Sequence, residues 1–91
     1  MMIVKVGIAG TLESSDIMIR VYPGGNGLQI EVESLVYRQF GKHITKLIET
    51  TARELGVENA IIEARDFGAL DCTICARLET ALKRAGKEAA V

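Results

Sequence analysis

The sequence predicts an α+β domain: a mostly antiparallel sheet of about four strands, element order βββαβα, with two helices packed on one face. Three observations predict it. Three early stretches alternate apolar and polar residues with a period of two. The apolar period then lengthens to three and four residues over two longer stretches. Glycine-rich or polar joints separate these segments.

In the first alternating stretch, Val4, Val6 and Ile8 share a face while Lys5 and Gly7 point away. In the second, Ile17, Ile19 and Val21 lie opposite Met18, Arg20 and Tyr22. In the third, Leu28, Ile30 and Val32 alternate with Gln29 and Glu31. Each is expected to place one face on a core. Leu12-Glu13-Ser14-Ser15-Asp16 is small and polar, as suits a hairpin tip. Pro23-Gly24-Gly25-Asn26-Gly27 can supply the positive φ of a tight hairpin turn. Together the two turns predict a three-stranded meander.

Val36, Phe40, Ile44, Leu47, Ile48, Thr51, Ala52 and Leu55 then recur at helical spacing, with Ser34 as the expected N-cap. Arg38, Lys42, Lys46, Glu49 and Arg53 fall on the polar face. Gly41 interrupts this helix at a cost of up to ~1 kcal/mol relative to Ala, and suggests close approach of the sheet. Gly56 stops it. Val57 to Arg65 reads as a strand whose apolar run, Ala60, Ile61, Ile62 and Ala64, suggests a central place. A second helix is expected from Leu70 to Ala85, burying Leu70, Ile74, Leu78, Ala81, Leu82 and Ala85 and ended by Gly86.

Composition narrows the function. The 91 residues suit one domain, 1–91, and 48% hydrophobic content with 4% aromatics implies an aliphatic core. A net charge of −1 with scattered basic residues argues against a nucleic-acid partner. The N-terminus lacks the pattern of a signal peptide. No apolar run approaches the ~20 residues that span a bilayer, so no membrane partner and a cytoplasmic location are expected. Two cysteines are too few for a disulfide-stapled secreted domain.

Four groups could carry chemistry. His43 is the only histidine, and a catalytic base needs a nucleophile or carboxylate within reach; on a charged helix face it reads as a surface residue. Cys72-Thr73-Ile74-Cys75 has the spacing of redox and metal sites. A zinc site would need two further ligands, and Cys75 also fits the buried stripe, so the thiols read as packing or incidental groups. Gly24-Gly25-Asn26-Gly27 lacks the Lys-Ser or Lys-Thr of a phosphate-binding loop. The fourth group is Glu13-Ser14-Ser15-Asp16. Two carboxylates beside a serine make no triad. A serine that receives a group from another enzyme, however, needs only exposure on a protruding turn.

The stretch Ala9-Gly10-Thr11-Leu12-Glu13-Ser14-Ser15-Asp16-Ile17-Met18-Ile19-Arg20 resembles the N-terminal signature of the citrate lyase acyl carrier protein (gamma subunit) family. The resemblance continues in Gln39-Phe40-Gly41, in Gly68-Ala69-Leu70-Asp71-Cys72 and in Ala76-Arg77-Leu78-Glu79. It implies that Ser14, rather than Ser15, carries phosphoribosyl-dephospho-coenzyme A through a phosphodiester. It implies no catalytic residue and no metal. The thiol of that arm would hold an acetyl group, which the lyase alpha subunit exchanges for citryl and the beta subunit regenerates on releasing oxaloacetate. The alpha and beta subunits and a prosthetic-group transferase are the implied partners, and Glu13 and Asp16 are candidate recognition charges beside a solvated phosphodiester. Related carriers of malonate decarboxylase or citramalate lyase are the nearest alternatives. An unmodified interaction module and a small thiol-redox protein are the alternatives from other classes.

Overall fold

In the computed structural model, which describes residues 1–87, the alternating and helical periods become strands and helices largely where expected. The order is β1 (Met2–Ile3), β2 (Gly7–Gly10), β3 (Ile17–Tyr22), β4 (Leu28–Ser34), α1 (Tyr37–Glu54), β5 (Ala60–Asp66), α2 (Asp71–Ala85) and β6 (Gly86–Lys87). β2, β3, β5 and β4 form a sheet in that spatial order, antiparallel except for the β4–β5 pair. Both helices cover one face. Ile17, Ile19 and Val21 of β3 and Ala60, Ile62 and Ala64 of β5 are buried there against Ile44, Ile48, Ile74, Leu78 and Leu82. The α+β class and the one-sided helical layer are as the sequence predicts.

The meander is not. β2 and β3 form the expected hairpin, but β4 lies parallel to β5, which separates it from β3. β4–α1–β5 is therefore a crossover unit, in which a helix returns the chain to start a second parallel strand. β3 and β5, each with an alternating buried face, take the interior, while β4, with Gln29, Glu31 and Glu33 exposed, takes an edge where charges oppose further pairing. Pro23–Gly27 thus spans the start of β5 instead of closing a hairpin. The Asn59 side chain accepts from the Gly27 N–H at 2.9 Å, and the Ala60 N–H donates to the Gly27 carbonyl at 3.1 Å.

The first alternating stretch is inverted. Val4, Val6 and Ile8 are roughly half exposed, and Gly7 and Ala9 face the core. α2 lies so close over β2 that a Cβ on Gly7 would meet the Ala81 carbonyl and the Ala85 side chain. Only small residues fit beneath the helix, and the apolar triplet is turned outward.

The helix starts also differ from expectation. Ser34 ends β4, and α1 is capped by Val36 with no side-chain cap. The Ser34 hydroxyl still accepts from the Val36 N–H at 3.1 Å, just before the helix. Gly41 accommodates the ring of Tyr37 one turn earlier, 2.5 Å from where a Cβ would stand, instead of the sheet. Phe40 and Leu70, expected on buried stripes, are 50% and 72% exposed: Phe40 lies in the first turn of α1, and Leu70 is the extended N-cap residue that precedes α2. The stop at Gly56 is as expected. With φ +79°, its N–H donates to the Arg53 carbonyl, and the Val57 N–H donates to that of Ala52, the paired bonds of a Schellman cap. From Gly86 itself, β6 pairs antiparallel with β1, a ribbon that periodicity over two-residue strands does not reveal.

Candidate functional site

The ends of all four sheet strands converge where β4 and β5 finish. β3 begins there, with Ile17 opposite Asp66, and β2 ends there at Gly10. Both helices also start at this end. The segment Thr11–Asp16 joins β2 to β3 as a protruding tip, so the sheet presents Glu13-Ser14-Ser15-Asp16 at its rim.

The sequence builds this tip from specific parts. Gly10 takes φ +91°, and a Cβ there would overlap the Ile17 carbonyl, so the hairpin base requires glycine. Ser15 is the one non-glycine residue with positive φ among the described residues, at 64°. Its N–H donates to the Phe67 carbonyl at 2.7 Å, and the Phe67 N–H returns a bond to the Asp16 carbonyl at 2.9 Å. The tip is thereby sewn to the turn that follows β5.

Asp16 organises the inside of the tip. Its carboxylate accepts from the Thr11 hydroxyl at 2.7 Å and from the Ile17 N–H at 2.7 Å. Arg77 of α2 donates to both oxygens, through Nε at 3.1 Å and Nη2 at 3.0 Å. These hydrogen bonds, Arg77's foremost, then Thr11's and Ile17's, hold the Asp16 carboxyl well below the ordinary range, at about 2. The Thr11 hydroxyl also accepts from the Glu13 N–H at 3.2 Å. Of the two carboxylates flanking the serines, Asp16 is therefore engaged within the fold. Glu13 is exposed, and its carboxylate has no partner among the described residues.

Ser14 is exposed and makes no hydrogen bond among the described residues, whereas Glu13, Ser15 and Asp16 are each tied by at least one. It is the free vertex of a fixed turn.

The other candidates lie apart from this tip in the bonding network. His43 on α1 approaches both oxygens of Asp71 on α2, at 2.8 and 3.0 Å, as an exposed pair linking the helices. Sequence reasoning read His43 as an ordinary surface residue and did not pair it. Cys72 is exposed and Cys75 half-buried, where the Thr51 hydroxyl lies 3.7 Å from its sulfur. No group of three or more His, Cys, Asp or Glu suited to a metal ion occurs among the described residues. Among them, also, no helix is long and apolar enough to cross a membrane. Sequence reasoning missed the roles of Thr11, Arg77 and Asp66. Two signals were present: Arg77 lies among Ile74, Leu78 and Ala81, beside the buried stripe, and Asp66 closes an apolar strand.

Residues 4–85 match the family of the malonate decarboxylase delta subunit (MdcD). The chain is 55% identical over 86 residues to a citrate lyase acyl carrier protein of Streptococcus equi subsp. equi, covering 93% of this chain and 84% of that one. It is 52% identical over 89 residues to a protein of that name from Halothermothrix orenii, covering 98% and 95%. A citrate lyase acyl carrier protein 2 of Salmonella paratyphi A is 46% identical over 89 residues, covering 97% and 92%. Among solved structures, a chain from a Pseudomonas malonate decarboxylase hetero-tetramer in complex with malonate has the same fold. Its TM-score is 0.75 at 24% identity, over 94% of this chain and 93% of that one.

Proposed function

This chain belongs to the citrate lyase acyl carrier protein family, and we propose that Ser14 is the residue on which it bears phosphoribosyl-dephospho-coenzyme A. Its role is that of an acyl carrier. The observation that carries the assignment is that Ser14 is exposed and, among the described residues, wholly unbonded at the tip. The Ser15 hydroxyl is exposed and unbonded too, but its backbone is tied to Phe67 at positive φ, and the block Gly10-Thr11-Leu12-Glu13-Ser14 shared with the family favours Ser14 of the two.

The residues fit a covalent arm. A hydroxyl that another enzyme must reach has to be exposed and free of competing bonds, and Ser14 is both. No base is bonded to its hydroxyl, so as the bond from Oγ to phosphorus forms and the bond from that phosphorus to the activated donor's leaving group breaks, the leaving group would depart with the electron pair and the Oγ proton would pass to a group on the transferase. The Glu13 carboxylate repels a neighbouring phosphodiester and keeps it in water. When attached, the group supplies a terminal thiol that holds the acyl cargo as a thioester.

In this reading the chain breaks no substrate bond. It works in the cytoplasm as one subunit beside the alpha and beta subunits of the lyase, and a transferase loads it. Tethering raises the effective concentration of cargo at each active site to the order of mM for short flexible linkers. Leu12, Leu35 and Leu70, each at least 48% exposed around the same end of the sheet, offer apolar surface to those subunits.

A carrier of malonate decarboxylase is the second reading, favoured by the family matched over residues 4–85. The 46–55% identities to citrate lyase carriers favour the first.

Loading by the transferase, followed by mass, tests the site. Ser14→Ala is expected to abolish the adduct and Ser15→Ala to retain it. Adduct formation on Ser14→Ala would reject the assignment.

A further inference from the structure

Thr11 and Asp16 of the hairpin tip and Arg77 of the distant helix α2 meet at one carboxylate. Arg77 is 61 residues from Asp16, yet its guanidinium grips both Asp16 oxygens, at 3.1 and 3.0 Å. Such a two-point bond fixes direction as well as distance. The Asp16 side chain is 13% exposed and that of Arg77 42%, so the pair is partly withdrawn from water. Asp16 in turn holds Thr11 across the mouth of the loop, and Thr11 holds the Glu13 N–H. The chain of bonds from α2 therefore runs Arg77, Asp16, Thr11, Glu13, ending one residue before Ser14.

The same network explains an uncommon backbone. Ser15 holds φ 64°, a conformation that a non-glycine side chain adopts only when its surroundings enforce it. Enforcement comes from two sides: the Ser15 N–H bond to Phe67, and Asp16 fixed by Arg77. Such a clasp goes beyond what displaying a hydroxyl requires, since a loose polar loop would also expose Ser14.

We infer that Arg77 is a positioning residue for Ser14: acting through Asp16, it holds the hairpin tip in the single conformation that the transferase recognises. The inference rests on the assignment of Ser14 as the attachment site. Arg77 makes no hydrogen bond to Ser14. It sets the fraction of molecules whose tip is ready to be bound.

That mode of action has a kinetic signature. When only a fraction of a protein is competent to bind, apparent affinity falls by that fraction while the bound complex reacts as before. Arg77→Met is therefore expected to raise the transferase KM for the full-length carrier about tenfold with kcat retained. Arg77→Lys, which keeps the charge but loses the two-point grip, is expected to fall between the two. Thr11→Val removes one hydroxyl from the same network and is expected to shift KM in the same direction, and it keeps the test available if Arg77→Met does not fold. A second readout is independent of the transferase. The amide-to-α-proton NMR coupling of Ser15 reports its positive φ, and it is expected to average toward a coil value in Arg77→Met.

Initial loading rates of full-length wild type and variants, followed by intact mass, decide the matter. A raised KM together with an averaged Ser15 coupling supports the inference. Folded variants with wild-type KM overturn it while leaving the attachment site intact, as does a fall in kcat alone. Wild-type protein loaded at a residue other than Ser14 overturns the attachment site itself.

Discussion

Ser34 and Asp66, the last residues of the parallel strands β4 and β5, are joined by a 2.8 Å hydrogen bond from the Ser34 hydroxyl to the Asp66 carboxylate. Asp66 is 2% exposed, and its other oxygen accepts from the Ala69 N–H at 2.9 Å. One buried carboxylate thus ties together the ends of two strands and the turn leading into α2, all beneath the Ser14 tip. Burying it is tolerable because both oxygens are satisfied. Asp66→Ala strands the Ser34 hydroxyl and the Ala69 N–H and is expected to cost about 1–3 kcal/mol in urea unfolding. A loss below about 0.5 kcal/mol would mean that water replaces the carboxylate.

Gly7 and Gly25 offer a paired test of the close contact between β2 and α2. A Cβ on Gly7 would meet the Ala81 and Ala85 backbone, whereas one on Gly25 would meet nothing within 4 Å. Gly7→Ala is expected to destabilise by about 1–3 kcal/mol, as overpacking does. Gly25→Ala is expected to leave the thermal midpoint nearly unchanged. Equal effects at the two sites would refute the account of why Val4, Val6 and Ile8 face outward.

The Asp16 clasp predicts a pH dependence. The folded-state pKa is depressed from 3.8 to about 2, so the carboxylate contributes stability at pH values above its unfolded pKa. That contribution is lost as pH falls from about 4 toward about 2. In Asp16→Asn it is missing throughout. The urea midpoint of wild type is expected to fall more steeply than that of Asp16→Asn over this window, the two curves approaching each other in acid. Parallel curves would show that the ion pair contributes nothing to the folded state.

Cys72 and Cys75 are free thiols, one exposed and one beside Thr51. The acyl group is assigned to the arm on Ser14, so the Cys72→Ser, Cys75→Ser double variant is expected to be loaded and acylated like wild type. Loss of acyl loading in a folded, fully modified double variant would move the cargo to a cysteine.

Periodicity located the elements but not their neighbours. The alternation of Ile17, Ile19 and Val21 predicted the buried face of β3, because a half-buried strand must alternate. The alternation of Leu28, Ile30 and Val32 likewise predicted a face of β4, yet carried no information on which strand pairs with it. A glycine-rich joint reads as a hairpin whether it closes one or passes over another strand. At β2, the space available under α2 overruled the apolar pattern. The proposal of Ser14 as the attachment point comes only from the resemblance of a whole block of residues. The bonds that hold the tip are not legible at all, since Asp16 and Arg77, 61 positions apart, are brought together only by the fold.

The central claim is that Ser14 is the attachment point. It is tested most directly by the intact mass of protein from its native host, with peptide mapping across Thr11–Arg20. The account predicts an adduct of phosphoribosyl-dephospho-coenzyme A confined to Ser14. A bare Ser14 in cells that express the lyase and its transferase would contradict it.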